Sequence, residues 1–509
     1  MIKIIDCGSQ LTQNIARRIR ELGVFTEIIP FHTPVDKIEG EDLEGIIISG
    51  GQFSVYDKDS PVYSKEVFNL GVPVLGICYG QQSIAHLFGG KVVSSPNREY
   101  GETKIKLKAR SRLFNRIPFS DEFKVWMSHG DVVEQLPTGF ETVAISQNNH
   151  IAAMQMQEKN IYSVQFHPEV DHTKNGRVIL NNFIEICNAQ RTWDPEKEYG
   201  RMIDELKIKL KGKVGVGGIS GGVDSSTVSI LVNEIAGENY HPIFVDNGLL
   251  RLNEAIKVQE SLSSFNLNIK YVDASDRFLE KLKGIEDSDE KRKIIGNEFV
   301  AVFEEEARKI PGASYLVQGT LYPDVIESVP VYGSSSKIKR HHNVGGLPEK
   351  MGLEVIEPFR NLFKDEVRKI AEHRLRMPKH IVWRHPFPGP GLAVRIIGEV
   401  NEEKLRIVRE SDDIFISELM KEGLYYQISQ AFAGFLGGKT VGVMGDAGTY
   451  EGIVGLRAVV TNDFMTADWY DFKKSFMTKV SNRIINEVRG VGSTFYNTSQ
   501  KPPATIELE

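Results

Sequence analysis

The sequence predicts an α/β protein with two doubly wound, mainly parallel-sheet domains followed by a smaller α+β domain. The apolar runs at residues 45–49 and 72–77 are short and continuous, and each leads into a glycine-containing turn. Such runs, separated by helical stretches such as residues 10–22, are typical of parallel sheets covered by helices on both faces. With 509 residues, the chain is also too long for a single hydrophobic core.

We place the domain boundaries at residues 1–192, 193–385 and 386–509. The first region has further strand patterns at residues 2–5 and 161–166. The second begins with a helix or linker, and its next strand, helix and strand are predicted at 213–219, 225–236 and 242–245. The third follows the proline- and glycine-rich segment 385–391, which cannot form a regular helix or a central strand.

Composition excludes several classes of protein. The formal net charge is −6, which gives no electrostatic reason to expect a nucleic acid polymer as partner. No apolar run reaches the roughly 18–20 residues that span a bilayer. The N-terminal residues have no signal-peptide pattern. The chain has three cysteines, an odd number that argues against a disulfide framework, and we expect a cytoplasmic protein.

Cys78 stands between Gly76 and Gly80, directly after the predicted strand at 72–77. This spacing is typical of a nucleophile elbow, a sharp strand-to-helix turn that projects the nucleophile. The start of the following helix attracts negative charge, so we expect it to favour the reactive form of the nucleophile. The alternative is a small buried cysteine without a chemical role.

A thiol nucleophile needs a base, and the base needs an orienting group. His167 and Glu169 provide this pair at the end of the predicted strand 161–166, although a His-Pro-Glu triplet alone also suits an ordinary turn. Gly50 and Gly51 follow the strand at 45–49. Their backbone N–H groups suit an oxyanion, and equally suit a tight turn.

With segments 6–10 and 128–131, these motifs resemble the class I glutamine amidotransferase family over the first predicted domain. The resemblance implies a catalytic triad of Cys78, His167 and Glu169. In that family the thiolate attacks the side-chain amide of glutamine and releases ammonia. The resemblance also implies an oxyanion hole formed by the backbone N–H groups of Gly51 and Tyr79.

A second motif, rich in serine and glycine, lies between the predicted strand 213–219 and the following helix, and consists of Ser220, Gly221, Gly222, Val223, Asp224, Ser225 and Ser226. Glycines let a backbone wrap around phosphate oxygens, and a helix N-terminus attracts anions. Asp224 suits Mg²⁺ bound to such a phosphate. The alternative is a capped helix start without a ligand. The motif resembles the signature of the ATP pyrophosphatases, which cleave ATP between its α- and β-phosphates.

Five further segments carry a more specific resemblance, although each alone suits a surface loop or a frayed end: 246–251, 337–347, 384–392, 463–468 and 501–507. Together and in this order they resemble the GMP synthetase family across the whole length. The resemblance implies that ATP adenylates xanthosine 5′-monophosphate (XMP) with Mg²⁺, and that ammonia then displaces AMP. It implies a homodimer formed through the third domain. It assigns Lys364 to ATP, and assigns to XMP the residues Arg251, Pro388, Gly389, Lys501 and Glu507.

The sequence departs from the family pattern at several positions, whose effect on activity stays open: Gln52, Gln81, Gly215, Gly437, Gly448 and Leu508. The glycines of the strand at 213–219 are expected to weaken it, because they offer no side chain to the core. Two alternatives also stay open. One is another ammonia-dependent synthetase of the ATP pyrophosphatase class, and the other is a catalytically degenerate nucleotide-binding paralogue.

Overall fold

The computed structural model describes residues 1–328, 352–444, 447–461, 464, 466–501 and 503–509. Contacts divide the chain into two compact units, the first Met1–Glu198 and the second made of the described residues from Tyr199 onward. The predicted segment 337–347 lies outside the described residues, as do positions 463 and 465 of the segment 463–468 and position 502 of the segment 501–507. Within the described ranges, no helix combines the length and apolarity needed to cross a bilayer.

The first unit alternates strands and helices and then adds a run of strands. Its strands are β1 (Ile2–Asp6), β2 (Thr26–Pro30), β3 (Gly45–Ile48), β4 (Val74–Ile77), β5 (Lys91–Leu107), β6 (Glu122–Gln135), β7 (Glu141–Ser146), β8 (Ile151–Met156) and β9 (Ile161–Val164). Its helices are α1 (Thr12–Glu21), α2 (Val35–Ile38), α3 (Tyr79–Leu87) and α4 (Gly176–Ile186). The helix α5 (Pro195–Leu210) crosses the boundary between the units, so the stretch predicted as a helix or linker, 192–211, is helical over nearly its whole length.

The sheet of the first unit has nine strands in the order β2-β1-β3-β4-β9-β8-β7-β5-β6. The first five of these are parallel, as the continuous apolar runs predict, and β1, β3, β4 and β9 are buried along their whole length. The other four strands extend the sheet in antiparallel fashion. In β5 and β6 buried residues largely alternate with exposed ones, because one face of these strands is solvated.

The second unit begins with a parallel sheet in the order β12-β11-β10-β13-β14. These strands are β10 (Val214–Gly218), β11 (Tyr240–Asp246), β12 (Lys270–Asp273), β13 (Ala313–Val317) and β14 (Glu354–Ile356). The helices around it are α6 (Val223–Ala236), α7 (Glu254–Leu262), α8 (Ser275–Leu282), α9 (Ser288–Arg308), α10 (Tyr322–Ser328), α11 (Lys364–His373) and α12 (Lys379–Val382). The prediction of a second parallel sheet is therefore confirmed.

A small α+β region completes the second unit, as predicted. Its elements are α13 (Glu402–Lys421), β15 (Gln430–Met444), β16 (Ala447–Val460), β17 (Asp468–Trp469), α14 (Lys474–Glu487) and β18 (Val491–Tyr496). The strands β15 and β16 pair antiparallel, and β18 lies parallel to β16. One hydrophobic core contains Val216 of β10, Phe435 of β15 and Val491 of β18. This core includes residues on both sides of the predicted domain boundary at 385/386. The boundary itself stays a prediction.

Two tyrosines from neighbouring strands cover the glycines of β10. A Cβ atom on Gly215 would lie 1.9 Å from Tyr315 Cε2, and one on Gly217 would lie 2.1 Å from the Tyr240 hydroxyl. Both rings are buried, and the Tyr240 hydroxyl hydrogen-bonds the Ser229 side chain at 2.9 Å. The volume that β10 lacks is thus filled by β11 and β13. This packing offsets the weakening that the glycines alone predict.

Candidate active sites

Cys78 occupies a sharp turn between β4 and α3, as the elbow prediction requires. Its backbone has φ 53° and ψ −107°, a conformation that non-glycine residues rarely adopt. A Cβ atom on Gly76 would lie 2.7 Å from the Gly80 carbonyl, and one on Gly80 would lie 2.4 Å from the Ile48 carbonyl oxygen. Only glycine fits at either position, because the start of α3 lies so close to both β4 and β3.

The structure brings the three predicted triad residues together in the first unit. His167 Nδ1 lies 2.7 Å from Glu169 Oε1, and both side chains are buried. His167 also hydrogen-bonds the Cys78 side chain, so its other ring nitrogen is the one left to face the thiol. Burial opposes the charged imidazolium, but the Glu169 carboxylate and the Cys78 side chain outweigh it and raise the pKa of His167. The arrangement favours a protonated His167 ring beside the Cys78 sulfur.

Three residues to which the sequence analysis assigned no role contact the triad. Gln165 directs its side-chain amide toward Cys78 Sγ at 3.7 Å, and the Ser128 carbonyl lies at the same distance from that sulfur. Arg18 of α1 donates from Nε to the Glu169 carbonyl at 3.1 Å. Ser128 belongs to the segment 128–131 named above. Gln165 and Arg18 belong to no motif, so only the fold shows that they reach the site.

The predicted oxyanion groups are adjacent. A Cβ atom on Gly51 would lie 2.6 Å from the Cys7 carbonyl oxygen and 3.4 Å from Tyr79 Cγ. Tyr79 is the first residue of α3, so its N–H belongs to the helix end that has no partner within the helix. Ser49 accepts a hydrogen bond from the Cys7 N–H at 2.9 Å and fixes the turn before Gly51. Gly51 therefore lies next to Tyr79, as an oxyanion hole built from both residues requires.

A buried polar network fixes the strand segment that contributes Ser128. Glu99 of β5 lies 3.1 Å from His129 Nε2 and accepts from Asn148 at 2.8 Å. Burial alone would raise the pKa of Glu99, but hydrogen bonds from His129, Ser146 and Asn148 outweigh it and lower the pKa to about 2. The carboxylate stays charged and holds β6 firmly against β5.

In the second unit, the segment 220–226, called the loop 220–226 below, consists of the turn after β10 and the first turn of α6, with Gly222 at the helix N-cap. The Ser225 hydroxyl lies 3.0 Å from the Ser220 hydroxyl and donates to the Gly222 carbonyl at 3.2 Å. A Cβ atom on Gly319, which follows β13, would lie 3.3 Å from the Asp224 carbonyl carbon. The loop thus lies at the carboxyl ends of adjacent parallel strands, where ligands of such sheets bind.

Asp224 has the chemistry that a magnesium ion needs. Its Oδ2 lies 3.1 Å from Lys364 Nζ, whereas Oδ1 is buried and has no hydrogen-bond partner among the described residues. A carboxylate oxygen without a partner is a suitable ligand for a hard cation. Asp224 and Lys364, which the sequence analysis assigned separately to Mg²⁺ and to ATP, thus lie side by side, and the two together fit a Mg²⁺-bound phosphate.

The predicted XMP residue Arg251 and a second arginine, Arg395, lie around one aromatic ring. The guanidinium carbons of Arg251 and Arg395 each lie 5.2 Å from the Phe387 ring centroid. Glu507 accepts a bidentate pair of hydrogen bonds from Arg395 at 2.9 and 3.0 Å, and a third from Gln430 at 2.6 Å. Arg395 and Gln430 were missed from the sequence, because their link to Glu507 joins distant parts of the chain.

Arg251 also forms an ion pair with the buried carboxylate of Asp412 in α13, at 3.0 Å. Pro388 accepts a hydrogen bond from the Gly391 N–H at 2.9 Å, in a turn that packs against Leu249 two residues before Arg251. A Cβ atom on Gly389 would meet no heavy atom within 4 Å, so that position borders open space. The turn and Arg251 thus belong to one region.

Lys501 lies beside Phe464, whose carbonyl accepts from its Nζ at 2.6 Å. Its backbone pairs with Ala467. Lys501 is therefore held at the small hydrophobic cluster that contains Phe432 and Ile506. Phe432 in turn lies 4.2 Å from the Arg395 guanidinium, which connects this cluster to the Glu507 region.

The departures from the family pattern have visible surroundings. The Gln81 side chain is buried, donates to the Ile151 carbonyl at 2.9 Å and accepts from Ser163 at 3.2 Å. Gly437 adopts φ 78° in a bulge of β15, and Leu508 packs against the cluster of Phe432. These contacts satisfy each changed residue locally. Nothing comparable constrains the other two positions: Gln52 is exposed, and a Cβ atom on Gly448 would meet no heavy atom within 4 Å.

A cysteine elbow with its His-Glu pair in one unit, and a Ser-Gly loop on a parallel sheet in the other, define a glutamine amidotransferase joined to an ATP-consuming synthetase. The sequence model described as glutamine amidotransferase class-I matches residues 3–187, and the one described as GMP synthase C terminal domain matches residues 417–508. A glutamine-hydrolysing GMP synthase of Aquifex aeolicus is 52% identical over 100% of this chain and 99% of its own. The enzyme of Brachyspira hyodysenteriae is 50% identical over 100% of this chain and 99% of its own. The enzyme of Chlorobaculum tepidum is 51% identical over 99% of this chain and 98% of its own.

The chain belongs to the family of glutamine-hydrolysing GMP synthases. Its activity is the glutamine-dependent synthesis of GMP, a ligase reaction of purine nucleotide biosynthesis that consumes ATP. A different ammonia-dependent synthetase and a degenerate paralogue are not favoured, because the likeness covers the full length and both family regions.

Proposed function

We propose that Cys78, His167 and Glu169 release ammonia from glutamine, and that the loop 220–226 and the Glu507 region use it to convert XMP to GMP. The observation that supports the first half is the buried hydrogen-bond chain from Glu169 through His167 to Cys78 at a strained elbow. The second half is supported by Asp224 of that loop, whose buried Oδ1 has no hydrogen-bond partner among the described residues.

In the amidotransferase unit, the Cys78 thiolate attacks the amide carbon of glutamine, and the resulting oxyanion accepts from the N–H groups of Gly51 and Tyr79. His167 gives its proton to the departing nitrogen, so that ammonia leaves and a thioester remains. Water, deprotonated by the same ring, then hydrolyses the thioester to glutamate. Glu169 holds the ring in the orientation that both proton transfers need.

In the synthetase unit, the loop 220–226 and Lys364 bind the phosphates of ATP. Mg²⁺ bound at Asp224 would neutralise charge on those phosphates. The C2 oxygen of XMP attacks the α-phosphate, pyrophosphate leaves, and the adenylated oxygen becomes a good leaving group. Ammonia then attacks C2 and AMP departs, which gives GMP.

XMP is held by Arg251, Pro388, Gly389, Lys501 and Glu507. Lys501 suits the 5′-phosphate, and Glu507 suits the ring N–H groups of the purine. Arg395 holds the Glu507 carboxylate in a fixed orientation through its bidentate hydrogen bond. A purine N–H group then meets an acceptor whose position is already fixed.

We also propose that the protein is a cytoplasmic homodimer formed through residues 386–509. The hairpin of β15 and β16 exposes 80% of Val441 and 66% of Tyr450, which suits burial in an interface. All three cysteines are free thiols, as a reducing compartment requires. Sedimentation of the full chain at micromolar concentration tests the dimer, and a monomer there would contradict it.

The decisive experiment incubates the protein with XMP, ATP, Mg²⁺ and glutamine and measures GMP, AMP, pyrophosphate and glutamate. The Cys78→Ala variant is expected to lose glutamine-driven GMP formation and to keep the reaction driven by added ammonia. Cys187→Ala is the matched control, because Cys187 is a buried thiol at the end of α4 and not at the elbow. Formation of ADP instead of AMP would contradict the assignment of attack at the α-phosphate.

A further inference from the structure

Arg384, two residues after α12, reaches back to the Ser-Gly loop. Its Nη1 donates to the Gly221 carbonyl at 3.1 Å, and its Nη2 forms an ion pair with Glu254 of α7. Gly221 has φ 73°, and a Cβ atom there would lie 2.4 Å from Val258 and 3.1 Å from Arg384 Nη1. The guanidinium is therefore packed directly against the backbone of the loop.

The bond to the Gly221 carbonyl determines where the next N–H points. The carbonyl of Gly221 and the N–H of Gly222 belong to one peptide group, which is planar and trans, so the two point in opposite directions. Because Arg384 holds the carbonyl on one side, the Gly222 N–H faces the other. There, among the residues that the structure describes, its one hydrogen bond is a long one of 3.4 Å to the Ser220 hydroxyl, inside the loop. A phosphate oxygen can replace that weak partner.

The residue after Arg384 is fixed by contacts to the C-terminal region. The His385 ring stacks on Tyr425 with centroids 3.8 Å apart. Its Nδ1 accepts from the Ala431 N–H at 3.2 Å, and its Nε2 donates to the Tyr425 carbonyl at 2.9 Å. Since one ring nitrogen accepts and the other donates, His385 is neutral, and burial lowers its pKa to about 4. Arg384 therefore starts from a rigid backbone.

We propose that Arg384 is a positioning residue for ATP, which presents the Gly222 N–H to a phosphate oxygen by holding the Gly221 carbonyl. The inference rests on the proposed role of residues 220–226 in binding ATP. Glu254 acts through Arg384. Its ion pair with Nη2 fixes the orientation of the guanidinium, and thereby the direction in which Nη1 donates to the Gly221 carbonyl. Removal of Arg384 frees the peptide group to rotate, so ATP binds less tightly while the XMP contacts are unchanged.

The test measures the KM values for ATP and XMP in ammonia-driven GMP formation by the full chain, which bypasses glutamine hydrolysis. Arg384→Gln is expected to raise the KM for ATP roughly tenfold or more, as expected for loss of a charge-assisted hydrogen bond. Arg384→Lys is expected to have a KM for ATP between those of the wild type and Arg384→Gln, since one ammonium group cannot bond both partners of the guanidinium. Glu254→Gln raises the KM for ATP less, and adds nothing in the Arg384→Gln background.

Arg368→Gln is the matched control. The Arg368 side chain also donates to a backbone carbonyl, at 3.2 Å, but to that of Val382, which lies two residues before Arg384 and outside the Ser-Gly loop. This variant is expected to leave both KM values unchanged, and unaltered glutaminase activity and thermal unfolding verify that each variant is folded. An unchanged KM for ATP in Arg384→Gln and Arg384→Lys, or an equal rise for ATP and XMP, would overturn the inference alone. If the wild-type protein formed no GMP, the proposed function would fail, and this inference with it.

Discussion

The close contact between α3 and β3 makes Gly80→Ala a sharp test of the elbow. The added Cβ would lie 2.4 Å from the Ile48 carbonyl oxygen, whereas ordinary contacts begin at 3.4 Å. Ile48 belongs to β3, which is paired on both sides by β1 and β4, so the strand cannot move. The start of α3, with Cys78 and Tyr79, must shift instead by about 1 Å. A misplacement of this size lowers rates by roughly 10²-fold.

We therefore expect Gly80→Ala to lower kcat/KM for glutamine hydrolysis by about two orders of magnitude. Overpacking of this kind also costs about 1–3 kcal/mol of unfolding free energy. The assay is glutamate release, together with ammonia-driven GMP formation, which should stay near the wild-type rate. Gly296→Ala is the control, because a Cβ at that position in α9 meets no heavy atom within 4 Å. Wild-type glutamine hydrolysis by Gly80→Ala would refute the reasoning.

Two further predictions follow from contacts in each unit. Glu169→Gln removes the carboxylate that raises the pKa of His167. The imidazolium then loses its proton at lower pH, so the alkaline limb of glutamine hydrolysis should move down by roughly one pH unit or more. Gly215→Val places a side chain where the Tyr315 ring lies, and should lower the unfolding free energy by about 1–3 kcal/mol in urea titrations. Combined with Tyr315→Ala, it should cost less than the sum of the two single changes.

Each of these has an outcome that would contradict it. An alkaline limb that stays in place in Glu169→Gln would mean that the carboxylate does not control the charge of His167; kcat alone does not decide this, because lost orientation also lowers it. Strict additivity of Gly215→Val and Tyr315→Ala would mean that the ring and the glycine do not share one space.

The parts of the fold and site that were predictable are local in the sequence. The elbow around Cys78, the pair of His167 and Glu169, and the loop 220–226 each depend on a few adjacent residues, and the structure forms all three. Continuous apolar runs likewise predicted the parallel strands, because burial on both faces leaves that pattern. The roles of these residues stay predictions until they are tested.

What was not predictable depends on contacts between distant segments. Arg18 reaches Glu169, Asp412 pairs with Arg251, and Arg395 holds Glu507, without any spacing that marks these partners. The antiparallel extension of the first sheet was also not predicted. Its strands β5 and β6 bury one face only, so they have no continuous apolar run in the sequence.

The tyrosines that cover β10 restrict how this chain can change. A larger residue at position 215 is blocked while Tyr315 is present, and loss of Tyr315 leaves an empty space while Gly215 is present. Either substitution alone gives a less stable protein. We therefore expect that, during evolution, a larger residue at position 215 is accompanied by a smaller one at position 315. An engineer who transfers single residues from related proteins into β10 would meet the same barrier.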